Sequence, residues 1–522
     1  MWARKKQQTA LVDTPDLDEL IQSLRGVVAT NARPEVVGQL ISLLTIRGTL
    51  EVQNERPERA LEDRRAAAGL LRGFDGQPSP ADRHTDLLAR MALVAAERAA
   101  GNLDAAMDAA VWAIDHVGPV RTEDTDVCEA FVADLDRLRG DLNTAKRRPE
   151  ALKAAELASD LATRLAELDE SAYMALLGSS WVNEAGARAN AGDRDGAQAL
   201  NNEAIALLEE YAPTWPALTT ALTNRAHLQR RSGEWEDAIT TEKQLLDGVR
   251  ADQPSSREEI ERLKSLFLTL VRSGRNEEAE QTISEAIVVS RRLALQDPAQ
   301  SLTLSVLLGN QASVRGQLGR YQDALTSSQE ALALREQLVL AEPSPAADEG
   351  LAMTLNNHSA VLRRLGRNAD AAAASSRSVE LRRRNVDHEN PSSVALLANS
   401  LNSHAEHLAL LGDAERALSE ALEARDLFAG LPAPGANTSY LRANQDTLGT
   451  VLAMAGRYDE AVEAAEQAVE LGRAAAAETP GDIPELASCL EALADRLDQV
   501  GRTSDAEASR AEASQLRASP AS

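Results

Sequence analysis

Between Leu302 and Ala341 the sequence LTLSVLLGNQASVRGQLGRYQDALTSSQEALALREQLVLA places apolar residues at three- and four-residue intervals on both sides of Gly319. That spacing predicts two amphipathic helices joined by a tight turn. Gly319 can end the first helix, because a left-handed backbone costs glycine nothing. Five residues later Ala324 opens the second helix, with Ala312 twelve before it and Ala331 seven after. These small side chains suit two helices whose backbones must approach closely.

The same pattern recurs along the whole chain. Alanines equivalent to Ala324 stand at Ala60, Ala106, Ala151, Ala197, Ala238, Ala279, Ala371, Ala417, Ala461 and Ala506, in steps of 41 to 47 residues. The turn position holds Gly101, Gly192, Gly233, Gly274, Gly319, Gly366, Gly412, Gly456 and Gly501, with Glu55 and Lys146 in the two remaining units. The column twelve before the anchor is small in eight units and departs at Val94, Arg139 and Phe267. The column seven after is alanine except at Leu245 and Ser378. Three columns with one period predict a stack of supersecondary units, each burying its apolar face against its neighbours.

The units resemble tetratricopeptide repeats. Trp181 with Ala185 matches the bulky and small pair of a first helix, and Gly319-Arg-Tyr321-Gln-Asp-Ala324, Gly456-Arg-Tyr458-Asp-Glu-Ala461 and Gly233-Glu-Trp235-Glu-Asp-Ala238 match the turn into the second. The period exceeds the usual 34 or so, as in repeats of the kinesin light chain type, which Asp387-His-Glu-Asn-Pro391-Ser-Ser-Val-Ala also resembles. The resemblance implies an all-α, right-handed superhelical solenoid of about eleven helix-turn-helix units. Units one and three match least, which fits either drift near a terminus or a specialised docking surface.

Length alone, 522 residues, would suggest several globular domains, but a repeat array grows without a central core. The expected organisation is a terminal arm and capping helix over 1–36, the array over 37–516 and a tail over 517–522. Within the first segment, Thr14-Pro15-Asp16 starts a helix that runs to about Val28, with proline in the first turn and acids near the positive end of the dipole. Prolines 254, 298, 343, 345, 391, 432, 434 and 480 punctuate the junctions, since proline stops a preceding helix. A polar final helix over about Asp505 to Arg517 serves as the terminal cap.

Composition narrows the function. Aromatic residues make up 3% of the chain, so the seams are filled by Ala, Leu and Val. A net charge of −26 argues against nucleic acid and anionic membranes as bulk partners. Six lysines among 55 basic residues, together with abundant alanine, suggest a GC-rich bacterial genome. Cys128 and Cys489 are read as free buried thiols in a reducing compartment. The N-terminus lacks the apolar region of a secretory signal, and no run of about 18 apolar residues occurs. The expected location is the cytoplasm.

No phosphate-binding loop, nucleophile elbow or HExxH helix is present, so neither catalysis nor a cofactor is expected. His404 and His407, three apart on one helix with His358 in the preceding unit, are the nearest approach to a metal site; seam or solvent histidines are the ordinary reading. More informative is a column of asparagines fourteen residues before the anchors, Asn183, Asn224, Asn310 and Asn357, with Asn356 and Asn402 one position away. In the resembling family the first helices line the concave face, and there an amide, donor and acceptor at once, can pair with a peptide backbone whatever its side chains. The same column could instead bond neighbouring helices. Arg230, Arg231, Arg272, Arg363 and Arg364, at the ends of first helices, either cap helix carbonyls or form a basic rim for an acidic or C-terminal segment.

The expected function is a binding scaffold that takes a protein segment or extended peptide on the concave face through Asn183, Asn224, Asn310, Asn357, Asn402, Arg231, Arg272 and Arg364. A regulatory sensor, whose curvature changes on binding and which controls a separate protein, is the competing expectation.

Overall fold

The computed structural model describes residues 14–75, 77–212, 216–252, 254–431, 438–478 and 482–518. Residues 1–13 of the expected terminal arm, Pro432, Pro434, Pro480 and the last four residues lie outside them. Among the described residues there are 23 α-helices, two short 3-10 turns and no strand. The capping helix α1 is Thr14–Thr30, two residues longer than expected. Eleven hairpins follow: α2 and α3 (Pro34–Gln53, Pro57–Arg72), α4 and α5 (Arg83–Ala99, Leu103–Val117), α6 and α7 (Thr125–Thr144, Arg148–Leu168), and α8 and α9 (Glu170–Ala191, Arg194–Tyr211). Next come α10 and α11 (Pro216–Ser232, Trp235–Asp252), α12 and α13 (Arg257–Arg272, Asn276–Gln296), α14 and α15 (Ser301–Gln317, Tyr321–Ala341), and α16 and α17 (Pro345–Arg364, Asn368–Asn385). The last three are α18 and α19 (Pro391–Leu410, Ala414–Ala429), α20 and α21 (Thr438–Met454, Tyr458–Glu478), and α22 and α23 (Ile483–Gln499, Thr503–Ala518). The array thus begins at Pro34 and its last helix reaches Ala518, slightly wider than 37–516.

Every turn position is left-handed. The nine glycines have φ between 70° and 102°, and Glu55 and Lys146 have φ 58° and 61°. Each closes the same pair of bonds. In hairpin seven the N–H of Gly319 donates to the Gly316 carbonyl at 3.1 Å and that of Arg320 to the Arg315 carbonyl at 2.8 Å, the Schellman arrangement that satisfies the last carbonyls of a helix. The eleven anchor alanines are at most 1% exposed. At Gly449, twelve before its anchor, an added Cβ would sit 3.2 Å from the carbonyl oxygen of Ala461. That close approach is why the column is small.

Two compact units divide the chain at Leu245/Leu246, inside α11. The division falls in hairpin five, the one flanked by both 41-residue steps. In the first unit, first helices adjoin in succession from α2 to α10; in the second they do so from α14 to α22. Leu17 and Ile21 of α1 are buried, Ile21 in one cluster with Val37, Ile41 and Leu44 of α2. Arg47 pins them there, with its Nη1 2.5 Å from Asp18 Oδ1 and its Nε 2.8 Å from Asp63 Oδ2.

Candidate functional site

One turn of an α-helix takes 3.6 residues, so neighbouring positions face directions about 100° apart. This rotation sorts the asparagine and arginine columns. The residues thirteen before the anchor point into the seams: Gln311 donates to Ser284 Oγ at 2.9 Å and accepts from Ser327 Oγ at 2.8 Å, and His358 Nδ1 lies 2.8 Å from Ser328 Oγ. One residue earlier, Asn310 is half-buried and Asn357 exposed. Both line an open cleft of about 530 Å³ between α14 and α16, with Arg364 near one end. Ser313, Gln317, Tyr321 and Arg363 also line it. Among the described residues neither the Asn310 nor the Asn357 side chain has a hydrogen-bonding partner within the chain, while the seam beneath them is satisfied by the adjacent column.

Arginines eight before the anchor likewise serve the scaffold. Arg230 forms an ion pair with the buried Glu242, and Arg363 lies 3.4 Å from Glu406. Those seven before, Arg231, Arg272 and Arg364, are exposed. Arg231 joins Asn190, Arg148, Asp193, Arg194 and Asp195 around a polar recess of about 670 Å³ in the first unit. Arg272 stands at the end of α12 and lines neither recess.

The remaining asparagines do not form one continuous open ladder. Asn402 is a correction: at 8% exposure it is turned into the seam and accepts from Asn444 Nδ2 at 3.0 Å, an amide that also donates to the Ala421 carbonyl at 3.1 Å. Its one-position offset rotates it away from the surface. Asn356 has the same offset, and its Oδ1 is enclosed. Asn183 is tied down by Arg139, which donates to its Oδ1 at 3.1 Å. Asn224 is half-buried beside Gly186, whose missing Cβ would come within 3.9 Å of its Nδ2. Sequence reasoning passed over Ser313, Gln317 and Tyr321. The turn aromatic of the repeat signature, repeated at Tyr458 in a second groove with Thr450, Met454 and Gln499, was the available signal.

The histidines are seam residues. His404 Nδ1 is 2.6 Å from Glu420 Oε2 in its own hairpin, whereas His407 Nδ1 is 3.0 Å from Ser375 Oγ in the preceding one. Burial pushes His407 down to about 4. No cluster of three His, Cys, Asp or Glu residues able to hold a metal occurs among the described residues. Cys128 and Cys489 are free and buried, and burial pushes the Cys128 thiol up to about 11. No described helix is long and apolar enough to cross a membrane.

Eleven left-handed turns, buried anchor alanines and adjoining first helices define a tetratricopeptide-like helical repeat protein. No family model and no curated protein sequence matches the chain. Solved structures do. The apo form of RapI is 11% identical with a TM-score of 0.52, over 74% of this chain and 97% of that one. BtubC (BKLC) from P. vanneervenii is 23% identical, TM-score 0.36, over 45% and 90%. A tetratricopeptide repeat protein from Parabacteroides merdae is 15% identical, TM-score 0.37, over 56% and 93%. The likeness to RapI is one of fold.

Proposed function

We propose that this chain is a protein-interaction scaffold that binds an extended segment of a partner protein in the cleft between α14 and α16. The observation that carries the reading is the pair of unengaged amides, Asn310 and Asn357, at equivalent positions of adjoining first helices in one cleft. An amide presented in this way can donate to a backbone carbonyl and accept from a backbone N–H. Two of them at repeat spacing suit an extended chain, whose peptide groups are unpaired. Arg364 adds a directional cation at one end, and Tyr321 supplies apolar area to cover the segment. Nothing in this reading requires a catalytic step or a cofactor.

The test uses a random library of displayed decapeptides selected on the full chain. Selected peptides should bind an Asn310→Ala, Asn357→Ala double variant at least tenfold more weakly, with helicity and melting temperature unchanged. Equal affinity for both proteins would remove the cleft from the binding site.

A further inference from the structure

Eleven residues after its anchor, Arg335 of α15 occupies a position that is Leu71, Val117, Ala162, Leu208 or Phe428 in other hairpins, all at most 2% exposed. Arg335 is itself only 7% exposed, and its Nε is enclosed with no hydrogen-bonding partner. Among the described residues its guanidinium makes no ion pair. Burial moves its titration downward. In a chain with 81 acidic and 55 basic residues a buried arginine left without an acid calls for an explanation, because an unpaired buried charge is costly.

The next hairpin shows what is missing. Arg382 is the equivalent residue of α17, 4% exposed. Its Nε and Nη2 hold both oxygens of Glu349 at 3.2 and 2.8 Å, while its Nη1 donates to the Leu396 carbonyl at 2.9 Å and to Ser400 Oγ at 2.6 Å. Glu349 lies on the first helix, 22 residues before its anchor, with its side chain 39% exposed. The equivalent in hairpin seven is Leu302, an exposed leucine at 48%. In place of Leu396 stands Gly350, where an added Cβ would fall 2.3 Å from Arg335 Nη1. In place of Ser400 stands Thr354, whose hydroxyl is used by the Gly350 carbonyl at 2.9 Å. The guanidinium is therefore seated over a glycine that makes room for it, and the position of the carboxylate that its counterpart holds is taken by Leu302.

We infer that Arg335 is a preformed receptor for a carboxylate side chain of the bound partner segment, which takes the place that Glu349 fills beside Arg382. This rests on the cleft reading and extends it. Leu302, Val306 and Asn310 are spaced four residues apart on α14, so they share one face, and the receptor lies about 12 Å from Asn310 along the helix at 1.5 Å per residue. An extended chain covers that length in about four residues. The partner is thus an extended segment whose Asp or Glu stands about four residues from the part held by Asn310 and Asn357. A planar, bidentate guanidinium with no competing acid selects that carboxylate over an amide.

The decapeptides selected on the full chain supply the probe, each compared with its own Glu→Gln or Asp→Asn counterpart. On the wild-type protein the acid-to-amide change should weaken binding tenfold or more, and on Arg335→Met it should have no effect. Leu302→Glu, which supplies the carboxylate within the chain, should raise the melting temperature and abolish the preference for acidic peptides. Arg335→Met should melt no lower than wild type, whereas Arg382→Met should melt lower. If the acid-to-amide change weakens binding equally on wild type and Arg335→Met, or if Leu302→Glu leaves the acidic preference intact, the receptor assignment is overturned. The cleft reading survives that result provided the Asn310→Ala, Asn357→Ala variant still loses the peptides. Failure of wild type to select any peptide overturns both.

Discussion

The left-handed turns allow a substitution whose cost is isolated from packing. At Gly319 the backbone has φ 74°, and an added Cβ would meet nothing within 4 Å. Gly319→Ala therefore changes the torsional energy of one residue and the entropy of the unfolded chain. A left-handed alanine costs about 1–2 kcal/mol, and removing glycine from the unfolded ensemble returns about 0.4–1 kcal/mol. The net loss is about 0.5–1 kcal/mol. Gly319→Val should lose more, because a β-branched residue is a strong outlier at positive φ. The reverse experiment is already half written in the chain. Lys146 is exposed and left-handed with φ 61°, so Lys146→Gly should stabilise hairpin three by a similar amount. Stability in a repeat array is local plus nearest-neighbour, so a single unfolding midpoint would blur the effect. Peptide-resolved hydrogen exchange in low urea reads it directly, with about a tenfold change in protection for each 1.4 kcal/mol. Unchanged protection of α14 and α15 in Gly319→Val, or lower protection of α6 and α7 in Lys146→Gly, would refute the turn assignment.

Three further expectations follow from the same packing. Ala331, fully buried between helices, should not accept Trp, and overpacking of this seam should cost about 1–3 kcal/mol or more, seen as early melting of hairpins seven and eight while the first unit keeps its exchange protection. Arg47→Met leaves Asp63 buried without its cation; a loss of about 3–5 kcal/mol should release α1, which limited proteolysis would detect as cleavage within residues 14–30 and the wild type would resist. His407 is held near 4 in the folded chain against 6.5 when unfolded, so the unfolded state takes up the proton first. Stability should be constant above about pH 7 and fall by roughly 3 kcal/mol as pH drops from 6.5 to 4; a His407→Gln variant should show a flatter profile over that window in urea melts, and identical profiles would remove His407 as the cause.

Period, turns and anchors were legible because each is local physics repeated eleven times. Gly319 and its equivalents announce a left-handed residue, and the small columns announce close helix approach, wherever the hairpin stands in the chain. Even Glu55 and Lys146 adopt positive φ, since the two flanking helices over-determine a turn that glycine would have made more easily. The cleft was half legible. Asn310, Asn357 and Arg364 line one cleft, but Asn402, a single residue out of phase, turns about 100° into a seam and finds Asn444, which lies 42 positions away.

Position along the sequence therefore determined the architecture, the turn positions and the columns from which a surface could be drawn. Only the tertiary structure decided which members of those columns are spent on the scaffold, where the array divides, and that Arg335 is buried beside Gly350 with its Nε unpartnered. The reason is one of range. Helix, turn and anchor are set within one repeat, where spacing alone carries the information. Whether a side chain is satisfied depends on a residue 12 to 44 positions away, in the other helix of its hairpin or in another hairpin, and spacing along one helix does not name that partner.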